Sequence, residues 1–200
     1  MQQVNIAVFV SGGGTNLQAL IDAQQRGEIK SGKITLVLSN EPGVFALERA
    51  AKAGIPSVTI PASEPDFEKK VIAAVEENGI DVIILAGFLS ILSEDFVKRY
   101  PKRIINVHPS LIPSFCGDGF YGLLVHEAAL KKGVKLTGAT VHYVNEITDG
   151  GEIILQKAVP VEEGDTPQIL QRRVMEQAEW ILLPQAAEVV AARVLKEKGE

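Results

Sequence analysis

The stretch Ile104-Ile105-Asn106-Val107-His108-Pro109-Ser110 sets an amide and an imidazole two residues apart at the end of an apolar run. If that run is a strand, both side chains leave the same face. An amide N–H beside an imidazole suits stabilisation of a developing oxyanion, and an imidazole exchanges a proton near neutral pH. A strand-end histidine alone is commonplace; Asn106 before it and Pro109 after it give His108 functional weight. A third candidate is Asp149, in Thr148-Asp149-Gly150-Gly151. That sequence is ordinary turn chemistry. Asp149 joins the chemistry only if the fold delivers it to His108, where a carboxylate can orient or charge the ring. His126, in a helical run, and His142, in an apolar run, read as packing or surface. No two histidines stand at ligand spacing, so no metal is expected.

A second constellation is Ser11-Gly12-Gly13-Gly14-Thr15-Asn16, between an apolar run and a helical one. Glycines let backbone N–H groups close on an anion without Cβ clashes. A helix N-terminus adds free donors and the positive end of a dipole, and Thr15 and Asn16 add a hydroxyl and an amide. The bland alternative is a tight strand-to-helix turn. A dinucleotide site needs G-x-G-x-x-G. Gly12 and Gly14 fit its first two positions, but the third falls on Leu17, although Glu41 can imitate the ribose-binding acid. The pattern favours a single phosphate. No Gly-Lys-Ser/Thr follows, which excludes a P-loop.

These residues need a frame. Strands are expected over Val4–Val10, Lys33–Leu38, Ser57–Ile60, Asp81–Leu85 and Ile104–Val107. Helices are expected between them, over Thr15–Arg26, Val44–Ala53, Asp66–Asn78 and Glu94–Arg99. Such alternation predicts βαβ units and a parallel sheet with helices on both faces. After His108 the texture changes. Pro109–Tyr121 reads as a long loop, which Phe115, Phe120 and Tyr121 should keep ordered. A helix over Leu123–Lys132 follows, then two strands, Leu136–Val144 and Glu152–Pro160, as an antiparallel addition. Thr166–Lys198 reads as helix, broken or bent near Pro184.

With 200 residues the chain suits one domain. Its 46% hydrophobic and 22% charged content excludes disorder for most of its length. A net charge of −5 gives no general attraction to nucleic acid or anionic membrane. The single cysteine, Cys116, cannot form an internal disulfide, which fits a reducing compartment. The N-terminal apolar stretch is short and lacks a basic flank, so neither a signal peptide nor a membrane span is expected. The cytoplasm is the expected location.

Taken together, SGGGTNLQAL, LSN followed by LERA, DVIILAGFLSIL, INVHPSLIPSF, HEAAL, TGATVHYV, TDGGEIILQKAVPV and GDTPQILQRRV resemble the phosphoribosylglycinamide formyltransferases, folate-dependent enzymes of purine synthesis. The likeness runs from near residue 5 to near residue 184. The Asn-x-His-Pro-Ser-Leu run is shared by the wider formyltransferase group, and SGGGTN is typical of this branch. The resemblance implies the formyltransferase fold, a Rossmann-like, open, mostly parallel α/β sheet with an antiparallel C-terminal addition. It implies a single domain over 1–200, with 1–108 as a nucleotide-binding half and 109–200 completing the active site and folate pocket.

The implied reaction is attack by the amine of glycinamide ribonucleotide on the formyl carbon of 10-formyltetrahydrofolate, with tetrahydrofolate leaving a tetrahedral intermediate. By resemblance, Gly14, Thr15 and Asn16 hold the substrate phosphate and Glu179 contacts its ribose. Asn106 and His108 stabilise the oxyanion, with His108 as proton donor and Asp149 paired to it. Leu89, Ser90, Ile91 and Leu92, together with Asn106 and with Asn145, Glu146, Ile147, Thr148 and Asp149, line the folate pocket. No metal, nucleic-acid partner or membrane is implied, and a monomer or weak homodimer is expected.

The chain departs from the family pattern in three places. Ser90 stands where many members carry arginine. The Pro61–Asp66 region is short and lacks a folate-contacting arginine found in some members. The helix around Glu176–Trp180 aligns with a one-residue ambiguity. Rival readings are a methionyl-tRNA formyltransferase, which would need an RNA-binding domain, a formyltetrahydrofolate hydrolase, and a non-catalytic nucleotide-binding protein.

Overall fold

In the computed structural model, which describes residues 3–199, strand β1 (Val4–Val10) is buried on both faces. Ile6, Val8 and Val10 enter one apolar layer, and Ala7 and Phe9 enter the other. This is the period-two split of a strand, and burial on both sides explains why the run is apolar almost throughout. The other strands are β2 (Gly32–Ser39), β3 (Ser57–Thr59), β4 (Val82–Leu85), β5 (Ile104–His108), β6 (Leu136–Tyr143) and β7 (Ile153–Pro160), in the order β3-β2-β1-β4-β5-β6-β7. Strands β1 to β5 run parallel; β6 and β7 are antiparallel to their neighbours. The expected α/β architecture is therefore present.

The helices are α1 (Thr15–Gln25), α2 (Phe45–Lys52), α3 (Phe67–Glu77), α4 (Glu94–Arg99), α5 (Leu123–Lys132), α6 (Pro167–Val174) and α7 (Trp180–Gly199). Leu17 and Leu20 of α1 and Leu183, Val190 and Val194 of α7 close one face of the sheet. Val71 and Val75 of α3 and Phe96 of α4 close the other. No helix among the described residues is long and apolar enough to cross a membrane.

Strand order turns at β1, which has β2 on one side and β4 on the other. Beyond the carboxyl ends of β1 and β4 the connections diverge and leave a crevice, where open α/β sheets bind ligands. Both the glycine loop and the Gly87–Leu92 segment open into it.

The C-terminal helical run departs from expectation. Thr166 caps α6, its Oγ accepting the N–H of Ile169 at 3.3 Å. The helix then widens into a π turn over Met175–Glu179, and α7 runs straight on through Pro184. Proline 184 lacks an N–H and crowds the carbonyl four residues back, at Trp180. The distortion therefore falls on the turn before α7, not at the proline. Such π turns recur at functional sites.

Candidate active site

Strand β5 presents Asn106 and His108 on one face, and antiparallel β6 sets His142 opposite Asn106 and Thr140 opposite His108. The turn between β6 and β7 then carries Asp149 over the end of β5. Asp149 Oδ2 stands 3.4 Å from His108 Nδ1, and Oδ1 stands 3.5 Å from both His142 Nε2 and Asn106 Nδ2. The contact that would bring Asp149 into the chemistry is thus present. The backbone N–H of Gly117 donates to Asp149 Oδ2 at 2.9 Å, so the carboxylate also ties down the 109–121 loop. Burial pushes the Asp149 carboxyl up, but the His142 and Gly117 hydrogen bonds and the neighbouring imidazoles outweigh it and hold the carboxyl below its ordinary range.

Proton positions follow from the partners. His108 Nε2 faces the Phe115 carbonyl at 2.8 Å while Nδ1 faces Asp149. His142 Nδ1 donates to the Tyr143 carbonyl at 2.8 Å, while its Nε2 stands 3.3 Å from Asn106 Nδ2 and 3.5 Å from Asp149 Oδ1. The Asn106 amide protons therefore rest on long contacts, and a stronger acceptor in the crevice can recapture them.

The 109–121 loop is fastened to the sheet by side-chain hydrogen bonds. Thr140 Oγ1 donates to the Ser110 carbonyl at 2.7 Å and accepts from Ile112 N–H at 3.1 Å. The rings of Phe115 and Phe120 meet at 6.5 Å.

The glycine loop is shaped from behind by α2. Ala46 N–H donates to the Gly12 carbonyl at 3.1 Å, and Arg49 Nε donates to the Gly13 carbonyl at 2.8 Å. With these carbonyls drawn towards α2, successive N–H groups are free to face an anion. Gly14 adopts φ 72°, and a Cβ there would lie 2.7 Å from Ala46 Cβ, so only glycine fits. Gly14 offers no side-chain cap to α1, which leaves first-turn donors unclaimed. Asn16 turns inward and donates Nδ2–H to Glu179 Oε2 at 2.7 Å. Burial drives the Glu179 carboxyl up to about 7, against the opposing pull of the Asn16 hydrogen bond.

A cavity of about 670 Å³ joins these parts. Asn106, His108 and Asp149 line it, as do Asn16, Glu179, Leu89, Ser90, Ile91, Leu92, Asn145, Glu146, Ile147 and Thr148. Two of the expected residues do not line it. Thr15 lines a separate depression of about 280 Å³ with Gln18, Arg49 and Trp180, its Oγ1 3.8 Å from Met175 Sδ, and Gly14 lines neither. Any contact they make with a ligand comes through the backbone or from the rim. Leu89, Ile91 and Ile147 are 65%, 80% and 62% exposed and form an apolar rim to the cavity. Ser90 Oγ accepts from Asn40 Nδ2 at 2.7 Å. His126 and His142, which by sequence read as packing or surface, both line the cavity; their helix and strand patterns resemble those of core residues.

An amide, an imidazole and a carboxylate gathered at the carboxyl end of β5, beside the crevice of an open α/β sheet, make a site suited to acyl transfer. Residues 4–186 match the Formyl transferase family, and the chain belongs to it. It is 42% identical to phosphoribosylglycinamide formyltransferase of Escherichia coli over 87% of this chain and 81% of that protein. It is 43% identical to the human trifunctional purine biosynthetic protein adenosine-3 over 96% of this chain, although the chain spans only 19% of that protein's length. The crystal structure of glycinamide ribonucleotide transformylase 1 from Symbiobacterium toebii superimposes with a TM-score of 0.87 at 37% identity, covering 95% of this chain and 88% of that one.

Proposed function

We propose that the chain transfers the formyl group of 10-formyltetrahydrofolate to the amine of glycinamide ribonucleotide, yielding formylglycinamide ribonucleotide and tetrahydrofolate in purine biosynthesis. The observation that carries this reading is one cavity with two unlike ends and the Asn106–His108–Asp149 cluster along it. One end has the polar Asn16–Glu179 pair beside the glycine loop. The other has the apolar rim of Leu89, Ile91 and Ile147.

In this reading the loop N–H groups of Gly14, Thr15 and Asn16 bind the phosphate and Glu179 receives the ribose hydroxyls. Residues 89–92 and 145–149, with Asn106, take the folate. The free amine attacks the formyl carbon, and the carbonyl oxygen gathers negative charge. Asn106 Nδ2–H and His108 meet that charge. Asp149 holds the His108 ring in line, and a proton passes to the departing folate nitrogen as the C–N bond breaks. The amine nitrogen gives up one proton, so atoms and charge balance. Residues 1–108 supply the nucleotide half of a single domain over 1–200, and 109–200 complete the site. The partners are small molecules rather than nucleic acid or membrane, no metal takes part, and the protein works in the cytoplasm as a monomer or weak homodimer.

The test mixes purified protein with 10-formyltetrahydrofolate, with and without glycinamide ribonucleotide. Deformylation is followed by absorbance and the product by mass. Turnover that depends on the ribonucleotide supports the transferase. Equal deformylation without it points to a hydrolase, and none under either condition to a binding protein.

A further inference from the structure

The cavity is lined by a fully buried titratable side chain that this reaction leaves idle. His126, on α5, has no exposed surface, yet it lines the cavity. Neither of its ring nitrogens has a hydrogen-bond partner among the described residues. Buried polar atoms are nearly always paired, and an unpaired one forfeits its hydration without return. An imidazole orphaned at both ends therefore points to a partner that arrives from outside the chain.

Burial, reinforced by the nearby His108, lowers the ring's proton affinity to a value of about 4. The ring is neutral at working pH, with one N–H donor and one lone-pair acceptor. Its position narrows the ligand. Helix α5 packs against α6, and α6 runs directly into the π turn that carries Glu179. Helix α5 thus stands on the side of the cavity that carries Glu179, and His126 lies within electrostatic reach of His108. The proposed substrate for that side bears an amide and an amine, which together offer a carbonyl acceptor and N–H donors.

We propose that His126 is a binding residue for the glycinamide group of the ribonucleotide, its N–H and its lone pair each pairing with that group. The inference rests on the ribonucleotide reading of the cavity. The free protein then carries two unpaired nitrogens for the sake of the complex, a stability–activity trade-off.

His126→Phe tests this, because it keeps a ring and removes both orphan nitrogens. The expected result is a Tm of the ligand-free protein equal to or above wild type. KM for the ribonucleotide should rise at least about tenfold, with affinity for a folate analogue within about threefold. His126→Gln, which restores one polar contact, should recover part of the loss. An unchanged KM overturns the inference. So does a joint fall in Tm, folate affinity and turnover, which marks a structural role. Should the Phe variant not fold, the imidazole ¹⁵N shifts of wild-type His126 decide. They must move on saturation with the ribonucleotide alone, and no movement overturns the proposal. Wild-type turnover that ignores the ribonucleotide defeats the parent reading and this one together. Ribonucleotide-dependent turnover with an unaltered variant defeats this one only.

Discussion

Replacing Glu179 with glutamine should stabilise the ligand-free protein, and only on the alkaline side. Glu179 is 6% exposed and its single side-chain partner is Asn16 Nδ2. Its carboxyl is raised from 4.5 to about 7 by burial. An acid with a raised folded-state value leaves stability intact below pH 4.5, and stability then declines until the pH passes about 7, because the unfolded chain ionises first. Roughly two and a half decades of proton affinity, at about 1.4 kcal/mol each, set a ceiling of ~3.5 kcal/mol on that loss. Water drawn to the ionised group inside the open cavity reduces it to between about 1 and 3 kcal/mol. Glutamine keeps an acceptor for Asn16 Nδ2 and offers a donor to Asn16 Oδ1, which has no partner among the described residues. Urea unfolding of both proteins from pH 4.5 to 9 measures the difference directly, and all other titrating groups cancel. The curves should coincide at acid pH and separate between pH 5 and 7.5, with the glutamine variant the more stable. Parallel curves across the range would refute the reasoning.

Further expectations follow from the cluster and the loop. His108→Ala should lower kcat/KM by about 10²–10⁴-fold while folate-analogue binding, followed by fluorescence, is retained; preserved turnover would sink the mechanism. Asp149 stays ionised until the pH falls below its ordinary value of 3.8, so an acid limb above pH 5 should come from the substrate amine. A less basic amine analogue should then move that limb to lower pH, and an unmoved limb would assign it to the enzyme instead. Gly14→Ala forces a side chain onto φ 72° and to 2.7 Å from Ala46 Cβ. It should cost about 1–3 kcal/mol in thermal or urea unfolding and weaken ribonucleotide binding selectively, by calorimetry; full stability with full affinity would show the turn to be tolerant.

The parts legible in the sequence are those set by local pattern. Apolar runs ending in glycine mark β1 and the turn before α1, and the two-residue spacing of Asn106 and His108 survives into β5 as a shared face. What was not legible depends on pairing across the sheet. Asp149 reaches His108 only because β6 runs antiparallel beside β5 and its turn hangs over the strand end, a placement that Thr148-Asp149-Gly150-Gly151 does not encode. His142 looks like core because it lies in a buried strand, and its pairing with Asn106 is a matter of register. The ambiguity around Glu179 has a physical source as well. A π turn takes an extra residue per turn, so the 3.6-residue period slips between α6 and α7 and no fixed spacing locates the carboxylate. Pro184 attracted the expected break because its local effect is strong, whereas the chain distorts one turn earlier.

The hydrogen bond between Asn16 and Glu179 spans 163 residues of chain, and this separation governs when the protein becomes competent. A chain emerging from the ribosome completes its glycine loop early and its strand-end histidine about halfway through. Contacts so distant in sequence form late, after the loop-closure entropy between them has been overcome. Until the π turn docks, the polar end of the cavity lacks its floor. In the proposed reading, the second substrate's end of the site is therefore the last part of the cavity to be completed.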